Sequence, residues 1–273
     1  MKSLLFLFLI STFMLAESFS QSDLLINPYR VVFEDGKSIE EISVANTGQD
    51  TARYVMSFVQ YKMNEYGTLQ QITEPEEGQY FADRLVRMFP RSVLLPPREA
   101  QTVRLQVRAP SGTQEGEYRS HLYFRSVRDQ RQNEERTSAD TTLGIRLTPI
   151  YGITIPVIVR LGDLELNVEV DSVGLDWSEE EVPHLRFKAT RSGNKSSFGN
   201  IEITYTGEQN EEIRVANLRG IALYTPNNKR YFSIPLTTDD PRVNYNTGKL
   251  KVRYYTSGGR TTEEFFSYTY SLD

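Results

Sequence analysis

Few residues in this chain are spaced for covalent chemistry. The two histidines, His121 and His184, sit in separate halves of the sequence, and neither has a neighbour at metal-ligand spacing. There is no cysteine, which removes thiol chemistry, disulfides and lipid attachment through sulfur. No Gly-x-Ser-x-Gly elbow, phosphate-cradling glycine loop or dinucleotide fingerprint occurs. The acidic runs Glu74–Glu77 and Glu179–Glu181 lack the alternating oxygen ligands and glycine of a calcium loop. The expectation is therefore no enzyme, no metal and no cofactor. What the chain does space regularly is a strand. From Thr141 to Arg160 the odd positions are Leu143, Ile145, Leu147, Pro149, Tyr151, Ile153, Ile155, Val157 and Val159, and the even ones include Thr142, Gly144, Arg146, Thr148, Gly152 and Thr154. A period of two means an extended, half-buried strand or a near-continuous pair of strands. Its chemistry is that of the backbone, because an unpaired edge presents a row of N–H and C=O groups to any second strand. Pro149 has no N–H to donate, so that part should lie at an edge or a bulge. Either another strand of the same chain covers the edge, or it is left open for a partner.

Composition narrows the setting. The chain has 273 residues, 38% hydrophobic and 25% charged, which suits a soluble globular protein of one large or two medium domains. Residues 1–20 read as a secretory signal peptide: Lys2, an apolar stretch from Leu4 to Leu15, and the small-x-small site Ser18-Phe-Ser20. No other long apolar run follows, so stable membrane insertion is not expected. The leader carries one Lys and one Glu, so the net charge of −5 is unchanged by its removal. Basic residues are scattered, which argues against nucleic acid as a partner.

Short runs rich in β-branched and aromatic residues, separated by Gly, Pro and Asn, fill the rest. Ile26-Asn-Pro-Tyr-Arg30 leads into Val31-Val-Phe33; Glu41–Ala45, Arg53–Tyr61, Arg87–Leu95, Gln101–Arg108 and Gly116–Phe124 follow. The charged stretch Ser126–Asp140 reads as a solvated loop. Arg160–Asp163 reads as a short hinge, and a second set of strands runs from Leu164 to Tyr270, with Trp177 as a core or rim anchor. The predicted organisation is all-β: a leader (1–20), an antiparallel β-sandwich (21–160) whose edge strand spans 141–151, and a second all-β domain (161–273).

In order, these residues resemble the periplasmic chaperones of the chaperone–usher pilus pathway. The resemblance is carried by Tyr29-Arg-Val-Val-Phe33, Ile42-Ser-Val-Ala-Asn46, Tyr54-Val, and the run from Phe89-Pro-Arg through Pro96-Pro-Arg to Leu105. Gly116-Glu-Tyr-Arg-Ser-His-Leu-Tyr-Phe124 and Leu143-Gly-Ile-Arg-Leu147 complete it in the first domain. In the second, Asn194-Lys-Ser-Ser-Phe198 is similar to the family's Asn-Pro-Thr-Pro-Tyr region.

The resemblance implies two immunoglobulin-like domains set in an L or boomerang. It also implies a periplasmic chaperone for pilus or fimbrial subunits that lends its edge strand to a subunit lacking one and delivers the subunit to an outer-membrane usher. Leu143, Ile145 and Leu147 would be the donated side chains. The subunit's C-terminal carboxylate would be anchored by Arg30, whose planar fork suits a carboxylate, and by a lysine of the donor strand. No lysine stands near Ile150-Tyr-Gly152. Arg146 substitutes for it, Tyr151 contributes a hydroxyl, or the anchor uses one cation. The free protein could also cap its open edge by self-association. The alternative is a secreted adhesive or scaffolding β-sandwich protein that closes its own edges and captures no subunit.

Overall fold

The computed structural model of the chain describes residues 24–34, 36–127, 152–177, 182–256 and 262–272. Among these residues there is no helix, and the strands gather into two sandwiches. The signal-peptide stretch, Leu143, Ile145, Arg146, Leu147, Pro149 and Tyr151 lie outside the described residues.

The first sandwich opposes two sheets. One has the order β1 (Leu24–Asn27), β3 (Ile39–Asn46), β8 (Ala100–Val107), β6 (Val86–Phe89). The other runs β2 (Val31–Phe33), β10 (Gly152–Leu161), β9 (Gly116–Val127), β4 (Ala52–Met63), β5 (Leu69–Ile72), and β7 (Ser92–Leu95) also pairs with β4. Alternation explains the inner faces. Ile42 and Val44 on β3 and Val103 and Leu105 on β8 are buried, while Glu41, Thr102 and Arg104 between them are exposed. Phe33, Leu95, Leu122 and Phe124 join them in one core from the facing sheet. Asn46 closes the β3–β4 turn: its side-chain amide donates to Leu95 O at 2.9 Å, and its Oδ1 accepts from Gly48 N at 2.9 Å. Both groups are out of water and both are satisfied.

Two runs that read as single strands are split between sheets. Leu24–Asn27 pairs with β3, whereas Val31–Phe33, past Pro28, pairs in parallel with β10 at Val157–Val159. Likewise Val86–Phe89 pairs with β8 and Ser92–Leu95 with β4, on either side of Pro90. Proline cannot donate to a ladder, so each crossing falls where a hydrogen bond would have been lost.

The described half of the long comb lies on β10. Ile155, Val157 and Val159 are buried in the first core and Ile153 packs against it. Here the apolar face is covered by the protein's own opposite sheet. Along Gly152–Pro156, β10 pairs with β9 on one side, and its other side has no strand partner among the described residues.

The second sandwich opposes β11 (Leu166–Asp176), β12 (His184–Gly193), β15 (Lys229–Pro235) to β14 (Glu212–Leu223), β13 (Ser197–Thr206), β16 (Lys249–Thr256), β17 (Glu264–Ser271). Its core contains Leu185, Phe187, Ile201, Ile203, Leu250, Val252 and Tyr254, with Phe187 stacked on Phe232 at 4.8 Å between centroids. Trp177 is half exposed, edge-on to Tyr245, and serves the rim of this domain.

Candidate functional site

β9 is buried on both faces from Gly116 to Leu122. Tyr118, Leu122 and Phe124 enter the first core, and Ser120 Oγ accepts from Ala82 N and Asp83 N at 2.9 and 3.1 Å. The alternate residues Glu117, Arg119 and His121 point the other way. Beside them on β10 stand Arg160, Ile158 and Pro156, in register with Glu117, Arg119 and His121 respectively. This outer face is covered by the second domain, through Ser196–Phe198 at the start of β13 and Ala222–Thr225 at the end of β14. An apolar patch between the domains contains Met63, Ile158, Ala222 and Tyr224, with Val32 and Phe198 packed against it. Fully burying a side chain of this size is worth about 1.5–3 kcal/mol.

At one end of the patch is a charged brace. The Glu117 carboxylate is completely buried and accepts from Arg160 Nε at 3.0 Å, Ser196 N at 3.1 Å, the Ser196 hydroxyl, and Thr225 Oγ1 at 3.4 Å. Arg160 also donates to Glu34 Oε2 at 2.6 Å and to Ser196 O at 3.2 Å. Burial would raise the Glu34 carboxyl, but the hydrogen bond and charge of Arg160 outweigh it and hold Glu34 below its usual range. Arg160 is thus a fixed inter-domain tie, where the sequence had suggested the start of a hinge.

At the other end the β4–β5 turn reaches across. Lys229 Nζ lies 2.8 Å from Glu65 Oε2, Tyr231 N donates to Glu65 O at 2.7 Å, and Tyr66 packs on Tyr231. Gly67 has φ +85°, a left-handed conformation that favours glycine, and it lies close beneath the Arg230 guanidinium.

Between these ties stand two arginines without an acid partner among the described residues. Arg30, just ahead of β2, is partly exposed. Its guanidinium lies 4.2 Å over the Phe198 ring, and Nη1 donates to Tyr224 Oη at 3.5 Å. Arg119 is 3% exposed and stacks on the Tyr224 ring at 4.2 Å. Its Nη2 donates to Thr225 O at 3.4 Å, while Nε and Nη1 are buried without a hydrogen-bond partner among the described residues. Desolvation pulls both guanidinium pKa values down; Tyr224 is the largest opposing influence on each. His121, edge-on to Tyr61 at 4.9 Å, is pushed down to about 3, first by burial and then by the charge of Arg119. It is therefore neutral at ordinary pH.

The arrangement offers positive charge and a partly open guanidinium on an aromatic face, which suits a carboxylate. Among the described residues no group of His, Cys, Asp and Glu could hold a metal ion. Of the residues singled out in the sequence, Arg30 lies at this junction, together with Phe198 from the weaker motif of the second domain. Neither Arg146 nor Tyr151 falls among the described residues. Glu117, Arg119, Arg160 and Tyr224 carry no signal that pattern alone would have raised. The spacing of Glu117, Arg119 and His121 reads as the solvated face of a strand until a second domain covers it.

No family model matches the chain, and no curated protein matches it. Solved structures do. The YadV chaperone is 10% identical with a TM-score of 0.46, covering 92% of this chain and 100% of that one. The class 5 fimbriae chaperone CfaA is 14% identical with a TM-score of 0.42, covering 91% and 98%. A third is the chaperone–tip adhesion subunit pre-assembly complex CsuC–CsuE, from archaic chaperone-usher Csu pili of Acinetobacter baumannii. It is 11% identical with a TM-score of 0.44, covering 89% and 97%. Each of these structures contains a chaperone.

Proposed function

We propose that this protein is a periplasmic chaperone of pilus or fimbrial subunits, secreted by a leader at residues 1–20 and built of domains 21–160 and 161–273. It lends the strand at 141–151 to a subunit, anchors the subunit's C-terminal carboxylate on Arg30, and delivers it to an outer-membrane usher. The observation that carries this reading is the position of Arg30. It lies at the junction of the two domains, braced on Phe198, part-exposed, and with no acid of its own among the described residues. A surface arginine serving only solubility has no need of such a seat. The second element is supported by the side of β10 at Gly152–Pro156 that has no strand partner among the described residues, which would leave backbone groups for a strand on the same edge.

The test is co-expression with candidate secreted β-rich partners, followed by co-purification. Arg30→Ala folds normally and binds subunit at least tenfold more weakly. Truncating one member of a buried charge pair costs about 2–5 kcal/mol, and tenfold needs only about 1.4. Arg30→Lys restores part of the affinity, because it supplies the charge without the fork. A subunit whose C-terminus is amidated is indifferent to the change. Capture by Arg30→Ala equal to that of the parent removes the anchor. A protein that neither carries nor captures any subunit is the adhesive or scaffolding alternative.

A further inference from the structure

The inter-domain junction holds more positive charge than it neutralises. Glu117 is the carboxylate whose charge bears on both Arg30 and Arg119, yet its oxygens already accept from Arg160, Ser196 and Thr225. Arg160 has Glu117 and Glu34. Arg30 and Arg119 are left facing one aromatic side chain, Tyr224, and the charge of Arg30 bears unfavourably on Arg119. Among the described residues Arg119 has a single backbone acceptor, and its other two donor nitrogens are buried without a partner there. Such a group is costly in isolation. The same low-polarity surroundings let its charge act strongly over several ångströms. Only arginine would keep its charge there, because its unperturbed pKa lies so far above neutrality.

We infer that Arg119 is the second cation of this cleft, acting across the Tyr224 ring on a carboxylate held at Arg30. The inference rests on the chaperone reading above, in that the carboxylate is taken to be a polypeptide C-terminus. The residue resemblance implies a second cation on the donor strand; no lysine stands near Ile150-Tyr-Gly152, Arg146 lies outside the described residues, and the described stretch Gly152–Pro156 contains no cation. Arg119 stands one strand over on the same outward face. It is opposite Ile158 and diagonal to Pro156, so it brings positive charge to that neighbourhood from β9. Arg119 is a positioning and selectivity residue here, since the ring of Tyr224 lies against its guanidinium.

The experiment uses the mature chain and two probes: acetyl-Val-Thr-Val-Thr with a free C-terminal carboxylate, and the same peptide as a carboxamide. Affinities are read by NMR titration at low salt. The parent prefers the carboxylate. Arg119→Met weakens the carboxylate probe about tenfold and leaves the amide probe unchanged, because it removes charge while filling the same space. If Arg119→Met weakens both probes equally, the role is packing and the inference falls. If Arg119→Met keeps the carboxylate preference while Arg30→Ala loses it, the inference falls and the Arg30 anchor stands. A parent with no preference, or with no binding at millimolar peptide, overturns both.

Discussion

Glu117 and Arg160 meet at 3.0 Å across adjacent strands of the first domain, and Ser196 of the second closes on both of them. The pair is therefore a joint between domains as well as a bond within one. Removing one partner of a buried pair leaves the other charged, desolvated and unpaired, at a cost of about 3–5 kcal/mol. Glu117→Ala should consequently loosen the second domain although the change is made in the first. The lone tryptophan, Trp177, is in the second domain and reports its unfolding by fluorescence. In the parent, denaturant transitions by Trp177 fluorescence and by far-ultraviolet circular dichroism should coincide. In Glu117→Ala the fluorescence transition should separate and move to lower denaturant. Coincident, unshifted transitions would mean that the brace does not couple the domains.

The positions legible in the sequence were those where a short rule decides the outcome. Ile42, Val44, Val103 and Leu105 alternate with polar neighbours and are buried, and Ile153–Val159 turns its apolar parity inward as the pattern requires. Arg30 was found through the order of residues around it, Tyr29-Arg-Val-Val-Phe33, and lies at the domain junction. β5 was missed because Leu69-Gln-Gln-Ile72 has no alternation and is mostly exposed. β14 read as two strands, Ile213–Ala216 and Gly220–Tyr224. It is one strand with two register shifts against β13, one at Arg219–Gly220 opposite Asn200 and one at Val215, tolerated because β14 lies at the edge of its sheet. Glu117 and Arg119 stand in the Gly116–Phe124 run that carries the resemblance, but no role could be read for either. Their burial is created by the second domain, and nothing within β9 records which face that domain will cover.

His121 should make stability fall in acid. Its pKa is about 3 in the folded protein, against about 6.5 in an unfolded chain. Above about pH 6.5 the ring is neutral in both states and the folded state is not penalised. As pH falls from there toward 3, the unfolded chain takes up the proton first, so folding loses about 1.4 kcal/mol per pH unit. Carboxylates held low, such as Glu34, add their own acid dependence, so the comparison must be with a variant. His121→Phe keeps an aromatic ring beside Tyr61 and removes the proton site. Relative to this variant, the parent should lose about 2–3 kcal/mol between pH 7 and pH 4.5 in urea unfolding. Parallel pH profiles would show that His121 is not the group that titrates.

The two halves of the comb should respond oppositely to charge. Ile155 is 2% exposed and packs in the first core, on the stretch of β10 that closes against the protein's own opposite sheet. Ile155→Asp places an unpaired carboxylate among Phe124, Leu122 and their neighbours, a change in the class that costs several kcal/mol and unfolds marginal domains. Ile145 shares the parity of Ile155 but belongs to the stretch proposed as the donated strand. If that stretch is lent to a subunit, Ile145→Asp should leave the isolated protein as stable as the parent and abolish subunit capture. Its side chain would then meet the subunit's groove, where a carboxylate goes unpaired and the roughly 1.5–3 kcal/mol from burying an isoleucine is lost. Melting temperature and co-purification, measured on both variants, separate the cases. Should Ile145→Asp unfold the free protein as Ile155→Asp does, the comb is core throughout, no strand is spare for a partner, and the adhesive or scaffolding reading replaces the chaperone one.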